Sequence, residues 1–185
     1  MSNTAKLIAH AASDERYEIY GGDPGNQTGV ELHARQWYAG GWDCVYRAVN
    51  EADRETIALF MEKAVANGYI GYNTNRRKRD TLFQALLANG YKVDEVNTSV
   101  DCDCSALVYC AVFPVTGVEC YLTEEQKEEA LVNICPKVRH YEDYIENQCA
   151  GMFEKLEGED YTGSSQNLLR GDLLVDRESH IAVWI

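Results

Sequence analysis

The apolar run between Cys104 and Pro114 constrains the fold of this chain more than any other stretch. CSALVYCAVF contains no charged side chain, so an element built from it has no face suited to water and belongs inside a core. A run of this length ended by a proline fits a buried helix that begins at Cys104, because proline does not continue a helix. A strand is the alternative for so short a run.

A second helix is predicted for NEADRETIALFMEKAVANG, residues 50–68. Asn50 is a good N-cap and Gly68 a good terminator. One helical face collects the apolar side chains. These are Ile57, Phe60, Met61, Ala64 and Val65.

Two further helices follow the same pattern. RDTLFQALLANG (79–90) has Asp80 as a cap and Leu82, Phe83, Leu86 and Leu87 as its apolar stripe. LTEEQKEEALVNI (122–134) opens with the capping box of Thr123 and Gln126.

Strands are predicted for residues 42–49 and, as an antiparallel pair, for GDLLV and HIAVWI near the end of the sequence. Helices first and strands last indicate an α+β fold. With 185 residues, we expect a single domain. Its polar, Gly-rich residues 1–41 would form a lead loop region and residues 42–185 the core.

Charge and hydropathy exclude several partners. A net charge of −13 argues against nucleic acid, because such binders need a basic surface. RRKR at 76–79 is expected to be a solvated loop or helix start. Without an apolar run long enough to span a bilayer we expect no membrane insertion. The first residues lack the pattern of a signal peptide, so we expect synthesis in a cytoplasm.

The cysteines at 102 and 104 raise three possibilities: a metal site, a disulfide or a nucleophile. The seven cysteines include no second pair with zinc-ligand spacing, so we expect no metal and no cofactor. A disulfide between residues two apart is strained. Cys104 stands at a predicted helix start, where the dipole favours a thiolate, whereas Cys102 and Cys110 fit buried structural roles.

A cysteine nucleophile needs a base, and His180 is the best candidate because it opens a strand directly after a turn. His10, His33 and His140 are expected to be solvated. A structural histidine is the alternative at position 180.

Three motifs together resemble the NlpC-type peptidases of the papain-like fold: DCSALV (103–108), GDLL (171–174) and HIAV (180–183). The lead GDPGNQTGVELHARQWY and the segment ANGYIGYN add a resemblance to catalytic domains of Firmicutes phage endolysins. The core resemblance covers residues 57–185.

The resemblance implies a papain-like (NlpC/CHAP-like) fold, with the nucleophile at a helix N-terminus packed on an antiparallel sheet. It implies a thiol endopeptidase that cleaves stem peptides of bacterial peptidoglycan, with Cys104 as nucleophile and His180 as base. Asp103 and Ser105 would bind the substrate's free amine, and Tyr72 would line the site. The alternatives are a CHAP-like N-acetylmuramoyl-L-alanine amidase and a non-catalytic relative that acts as a binding domain.

Two departures from the family pattern stand out. Ala106 replaces a glycine, which a helix tolerates. The family's third catalytic group follows on the next strand, whereas this sequence ends five residues after His180. Either the catalytic domain is truncated, or another residue such as Asp23, Asn26 or Gln27 serves as the third group, or the site is a dyad.

An endolysin would be made in the infected cytoplasm and act on the wall after release through a phage pore.

Overall fold

A computed structural model describes residues 6–19, 22–25, 30–130 and 134–185. The strands are β1 (Leu7–Ala11), β2 (Leu32–Gln36), β3 (Cys44–Ala48), β4 (Ile70–Tyr72), β5 (Val100–Cys102), β6 (Phe153–Leu156), β7 (Leu173–Asp176) and β8 (His180–Trp184). The longer helices are α1 (Glu51–Ala66), α2 (Thr81–Ala88), α3 (Cys104–Thr116) and α4 (Glu124–Ala130). Short helical turns cover Val93–Glu95, Val138–His140, Tyr141–Asp143, Tyr144–Gln148 and Glu159–Thr162.

Six strands form one sheet in the order β2-β1-β8-β7-β3-β6. Every neighbouring pair in it is antiparallel. β4 and β5 form a separate parallel pair. The combination of this sheet with packed helices agrees with the predicted α+β class.

The lead segment differs from its predicted form. Instead of a loop region, it contributes β1 and β2 to the sheet, where Ala9 pairs with Val183 of β8 and with Ala34 of β2. The predicted order of helices first and strands last is therefore wrong. These short strands carry little local signal, and pairing with a distant strand stabilises them.

The α3 prediction is confirmed at its start and wrong at its end. The Asp103 carboxylate caps the helix by accepting the backbone N–H of Ala106 at 2.8 Å. The helix continues past Pro114 and ends at Gly117, whose φ is +62°. Proline in a last turn removes one backbone hydrogen bond, which the packing of the buried helix tolerates.

The α1 and α4 starts also follow the prediction. The Asn50 side chain accepts the N–H of Ala52 at 3.0 Å. Thr123 and Gln126 form a reciprocal capping box, with side-chain to backbone distances of 2.9 and 3.1 Å. Part of the predicted fourth helix, residues 131–133, lies outside the described residues.

Helix α2 departs from its predicted cap and stripe. Asp80 makes no side-chain capping bond to the helix and instead pairs with Arg79 and accepts the N–H of Ile134. Leu87 is 52% exposed, while the rest of its predicted stripe is buried.

The β7–β8 hairpin confirms the predicted pair of strands near the end of the chain. Asp176 pairs with His180 next to its turn. Gly171 precedes the hairpin with a φ of +90°, and a Cβ there would lie 2.2 Å from the carbonyl oxygen of Arg54. Only glycine fits this approach of the hairpin to α1.

The sheet separates two apolar clusters. Ile181 and Val183 pack with α1 and α3 in the larger cluster. Ala182 and Trp184 pack with Trp42 in the smaller one, as strand alternation requires. In the described part of the chain no helix is long and apolar enough to cross a membrane. The cysteines are free thiols; Cys120 is half-buried and the others are buried.

Candidate active site

A cavity of about 560 Å³ opens at the N-terminus of α3. Cys104, the first residue of that helix, lines it together with Asp103 and Ser105. Tyr72 of β4 and Ser179 of the β7–β8 turn line other parts of its wall. The rest of the described lining is Ile19, Thr74, Lys137, Val138, Arg139 and Glu178.

Cys104 is 8% exposed, and the backbone N–H of Ile181 is near enough to its sulfur to favour the thiolate. Burial, followed by the charge of Asp103, raises the pKa of the Cys104 thiol to about 12, although the Ile181 N–H acts in the opposite direction. The expected stabilisation of a thiolate at the helix start is therefore outweighed by desolvation. The resting thiol is neutral.

The His180 ring lies against His10, with Nε2 of His180 2.6 Å from Nδ1 of His10. Within the described residues this ring makes no hydrogen bond to the Cys104 sulfur. Burial lowers the pKa of His180 to about 4. Trp42 stands near the ring, with centroids 6.1 Å apart.

Three histidines form a chain from β8 to β2. His10 of β1 is 2% exposed, and its Nε2 lies 3.2 Å from Nε2 of His33. Nδ1 of His33 lies 2.9 Å from the carbonyl oxygen of Val30. Burial, and then the neighbouring His180, lowers the pKa of His10 to about 2. The expectation that His10 is solvated is wrong, because strand pairing brings it to His180. His33 is half-buried and contacts His10.

The Val30 carbonyl fixes the direction of this chain when all three rings are neutral. It accepts only from an N–H, so His33 carries its proton on Nδ1 and accepts on Nε2. His10 then donates from Nε2 and accepts on Nδ1, and His180 donates from Nε2. The lone pair of His180 is left on Nδ1.

Asp103 is 2% exposed and sits in a network of charges. Arg79 donates to it from Nε at 2.6 Å and from a terminal nitrogen at 2.9 Å, and Lys137 donates at 2.8 Å. Burial alone would raise the pKa of Asp103, but Arg79 and then Lys137 hold it well below its ordinary value. Ser105 is fully buried and donates to Asp103 at 2.9 Å.

Arg79 overturns the prediction of a solvated basic run. Its side chain is 0% exposed and binds Asp80, Asp103 and the carbonyl oxygens of Cys135 and Pro136. Only its neighbours in the run reach the surface. No local pattern announces this burial, because most partners lie 24 to 57 positions away.

Tyr72 comes to the cavity because β4 and β5 pair in parallel, with Tyr72 opposite Cys102. It is 6% exposed, and burial raises its pKa. Asp23, one of the suggested third groups, is exposed and does not line the cavity. Asn26 and Gln27 lie outside the described residues. Among those that are described, no cluster of three or more metal-ligand side chains occurs.

A family model for the endolysin-like domain matches residues 8–185. The match covers nearly the whole chain, so the chain belongs to the endolysin-like domain family. Membership suggests a phage cell-wall hydrolase in general. Peptidoglycan as the substrate is consistent with this family. No curated protein and no solved structure matches the chain.

Proposed function

We propose that the chain is a papain-like thiol hydrolase of the NlpC type that cleaves stem peptides of peptidoglycan as an endopeptidase. One observation carries this proposal. Cys104 is the one cysteine among the described lining residues of the cavity, and it opens a helix there. The effect of the Ile181 N–H on the Cys104 thiol supports the assignment of the preceding residue, His180, to the same site.

The histidine chain supports His180 as the base. With His180 Nε2 donating to His10, its Nδ1 is the nitrogen that remains for the thiol. The pKa of His180, lowered to about 4, keeps this nitrogen unprotonated at neutral pH. His10 is then a positioning residue that takes the role of the third catalytic group in the family pattern. His33 in turn holds His10.

The proposed reaction starts from a neutral pair. The Cys104 sulfur attacks the scissile carbonyl carbon while its proton passes to His180 Nδ1. The carbon–nitrogen bond breaks as His180 returns that proton to the leaving amine, which leaves a thioester on Cys104. Water, deprotonated by His180, attacks the thioester; the carbon–sulfur bond breaks, the proton on His180 returns to the Cys104 sulfur, and the carboxylate is freed. The backbone N–H at the start of α3 would hold the oxyanion, since Asp103 already occupies that of Ala106.

The non-catalytic alternative also has an observation in its favour. The His180 ring is turned to His10, and the Cys104 thiol is neutral and buried. Turnover requires the ring to bring Nδ1 to the sulfur. Contacts of this kind are often loose in free enzymes and tighten when substrate binds.

The test is digestion of purified peptidoglycan, read by mass spectrometry of the soluble fragments. Wild type should release fragments, and Cys104→Ala and His180→Ala should release almost none. Cys120→Ala is a matched control, because Cys120 is half-buried and does not line the cavity. All variants should keep the wild-type circular dichroism spectrum.

The new amino terminus identifies the bond. A diamino acid there supports the endopeptidase, and L-alanine supports the amidase. Fragments released equally by Cys104→Ala would end the thiol mechanism. We place the action at the bacterial cell wall, after release of the enzyme from the infected cell through a phage pore.

A further inference from the structure

We infer that the cleft takes a stem peptide whose amino end is acylated rather than free, because Lys137 of the chain itself occupies the carboxylate that would hold a substrate amine. The inference rests on the proposed hydrolase function. Asp103 is the acid next to Cys104 in the cavity wall. On charge alone it is the natural anchor for a cationic group of a substrate.

The hydrogen-bonding capacity of Asp103 is already filled. Its Oδ1 accepts from the backbone of Ala106 at 2.8 Å, from Ser105 at 2.9 Å and from Arg79 at 2.9 Å. Its Oδ2 accepts from Arg79 at 2.6 Å and from Lys137 at 2.8 Å. A carboxylate offers about four lone-pair sites. A substrate ammonium would have to displace one of these donors.

Lys137 is the donor that faces the substrate. Its side chain is 25% exposed, whereas that of Arg79 is fully buried. Both Lys137 and Cys104 line the cavity. A lysine ammonium carries three hydrogens, and among the residues that the structure describes that of Lys137 donates one hydrogen bond, to Asp103. The remaining hydrogens suit an acceptor oxygen in the cavity.

The same stretch of wall carries a second cation. Arg139 lies two positions further along, lines the cavity and is exposed. An acylated amino end is neutral and offers a carbonyl oxygen, whereas a free one is cationic and meets Lys137 with like charge. Stem peptides that are still joined to the glycan are acylated at this end, so the cleft suits the intact wall rather than free peptides.

Glu178 is the competing anchor, since it also lines the cavity. It is exposed, so water screens its attraction for an ammonium. The two carboxylates therefore predict opposite substrate preferences. An anchor at Glu178 would favour the free amine, and the closed Asp103 favours the acylated end.

The experiment compares two synthetic stem peptides that differ only in the amino end, free in one and N-acetylated in the other. kcat/KM is measured for wild type, Lys137→Met, Lys137→Arg and the control Lys63→Met. Lys63 also pairs with a carboxylate, Asp94 at 3.3 Å, and lies outside the cavity. Dissociation constants of both peptides are measured by calorimetry on Cys104→Ala and on Cys104→Ala with Lys137→Met.

Wild type and Lys137→Arg should prefer the acetylated peptide by about tenfold or more, the worth of one charge-assisted hydrogen bond. Lys137→Met should lose most of that preference, because Asp103 becomes open to the amine, and Lys63→Met should keep it. The calorimetric constants should show the same ordering.

A wild-type preference for the free amine, or none, would overturn the inference and leave the hydrolase standing if wall fragments are still released. An unchanged preference in folded Lys137→Met would also overturn it. If wild type cleaves nothing, the proposed function fails. In that case the dissociation constants measured on Cys104→Ala still test whether Asp103 is closed to a substrate amine. They do so even if the Lys137→Met variants fail to fold, because the inference requires the acetylated peptide to bind more tightly.

Discussion

Replacement of Arg79 by methionine is the most direct probe of the charge network beneath the cavity. The substitution keeps an unbranched side chain about as long as the arginine stem and removes the guanidinium. It strips Asp80 and Asp103 of their shared buried cation and leaves two carbonyl oxygens without their donor. Removing one partner of a buried ion pair costs about 3 to 5 kcal/mol, because the remaining charge stays desolvated.

We expect the loss near the lower end of that range, because Lys137 and the Ala106 N–H still hold Asp103. For a chain of this size about 3 kcal/mol corresponds to a fall in Tm of about 6 to 12 °C. Urea unfolding at pH 7 should show a lower midpoint with an unchanged slope. The control is Arg77→Met in the same basic run, where the side chain is exposed, and it should change stability by less than about 0.5 kcal/mol.

The pH dependence gives the prediction its sign. Burial alone would raise the pKa of Asp103, but Arg79 holds it below its ordinary value. The resulting stabilisation is therefore present above the unfolded pKa of about 3.9 and is lost as the pH falls through the folded value. The gap between wild type and Arg79→Met should be widest near pH 7 and should narrow below about pH 4. A gap under about 1 kcal/mol at pH 7, or one that stays constant with pH, would refute the reasoning.

Two further predictions concern the thiol and the histidines. Burial raises the pKa of Cys104 to about 12, whereas the ordinary thiol pKa of about 8.5 applies in urea. Iodoacetamide should therefore label Cys104 at pH 7.5 more slowly in the folded protein than in urea. Peptide mapping measures both rates, and faster labelling in the folded protein would contradict the raised pKa. Burial lowers the pKa of His10 to about 2 and that of His180 to about 4, so the unfolded chain takes up protons first and the folded state should lose stability as pH falls below about 6.5. His10→Gln should make urea midpoints between pH 6.5 and 4 less dependent on pH, and a slope equal to that of wild type would show that His10 is not buried in its neutral form.

Local signals account for what could be predicted. The α1 and α4 caps, the start of α3 and the β7–β8 hairpin each lie within one stretch of sequence. In these stretches, capping chemistry and apolar periodicity act within a few residues of each other. For the candidate site, these signals are enough to place Cys104 at the start of its helix.

Long-range contacts account for what was missed. His10 and His180 lie 170 positions apart in sequence and meet only because β1 pairs with β8. Arg79 is buried by partners on α3 and on residues 135–136. The raised pKa of Cys104 has the same origin, because its burial depends on how α3 packs and not on its position in the helix.

The placement of β1 changes how the chain divides between lead and core. A boundary after residue 41 would separate His10 and His33 from His180, and would remove β1 and β2 from the sheet. The edge of β8 would then be exposed, with unpaired backbone groups beside the candidate base. His180 would also lose His10, which accepts the hydrogen on its Nε2. Without that acceptor nothing would hold the tautomer that leaves the lone pair on Nδ1. The first strand is therefore part of the proposed site, since its His10, held in turn by His33, fixes which nitrogen of His180 keeps the lone pair.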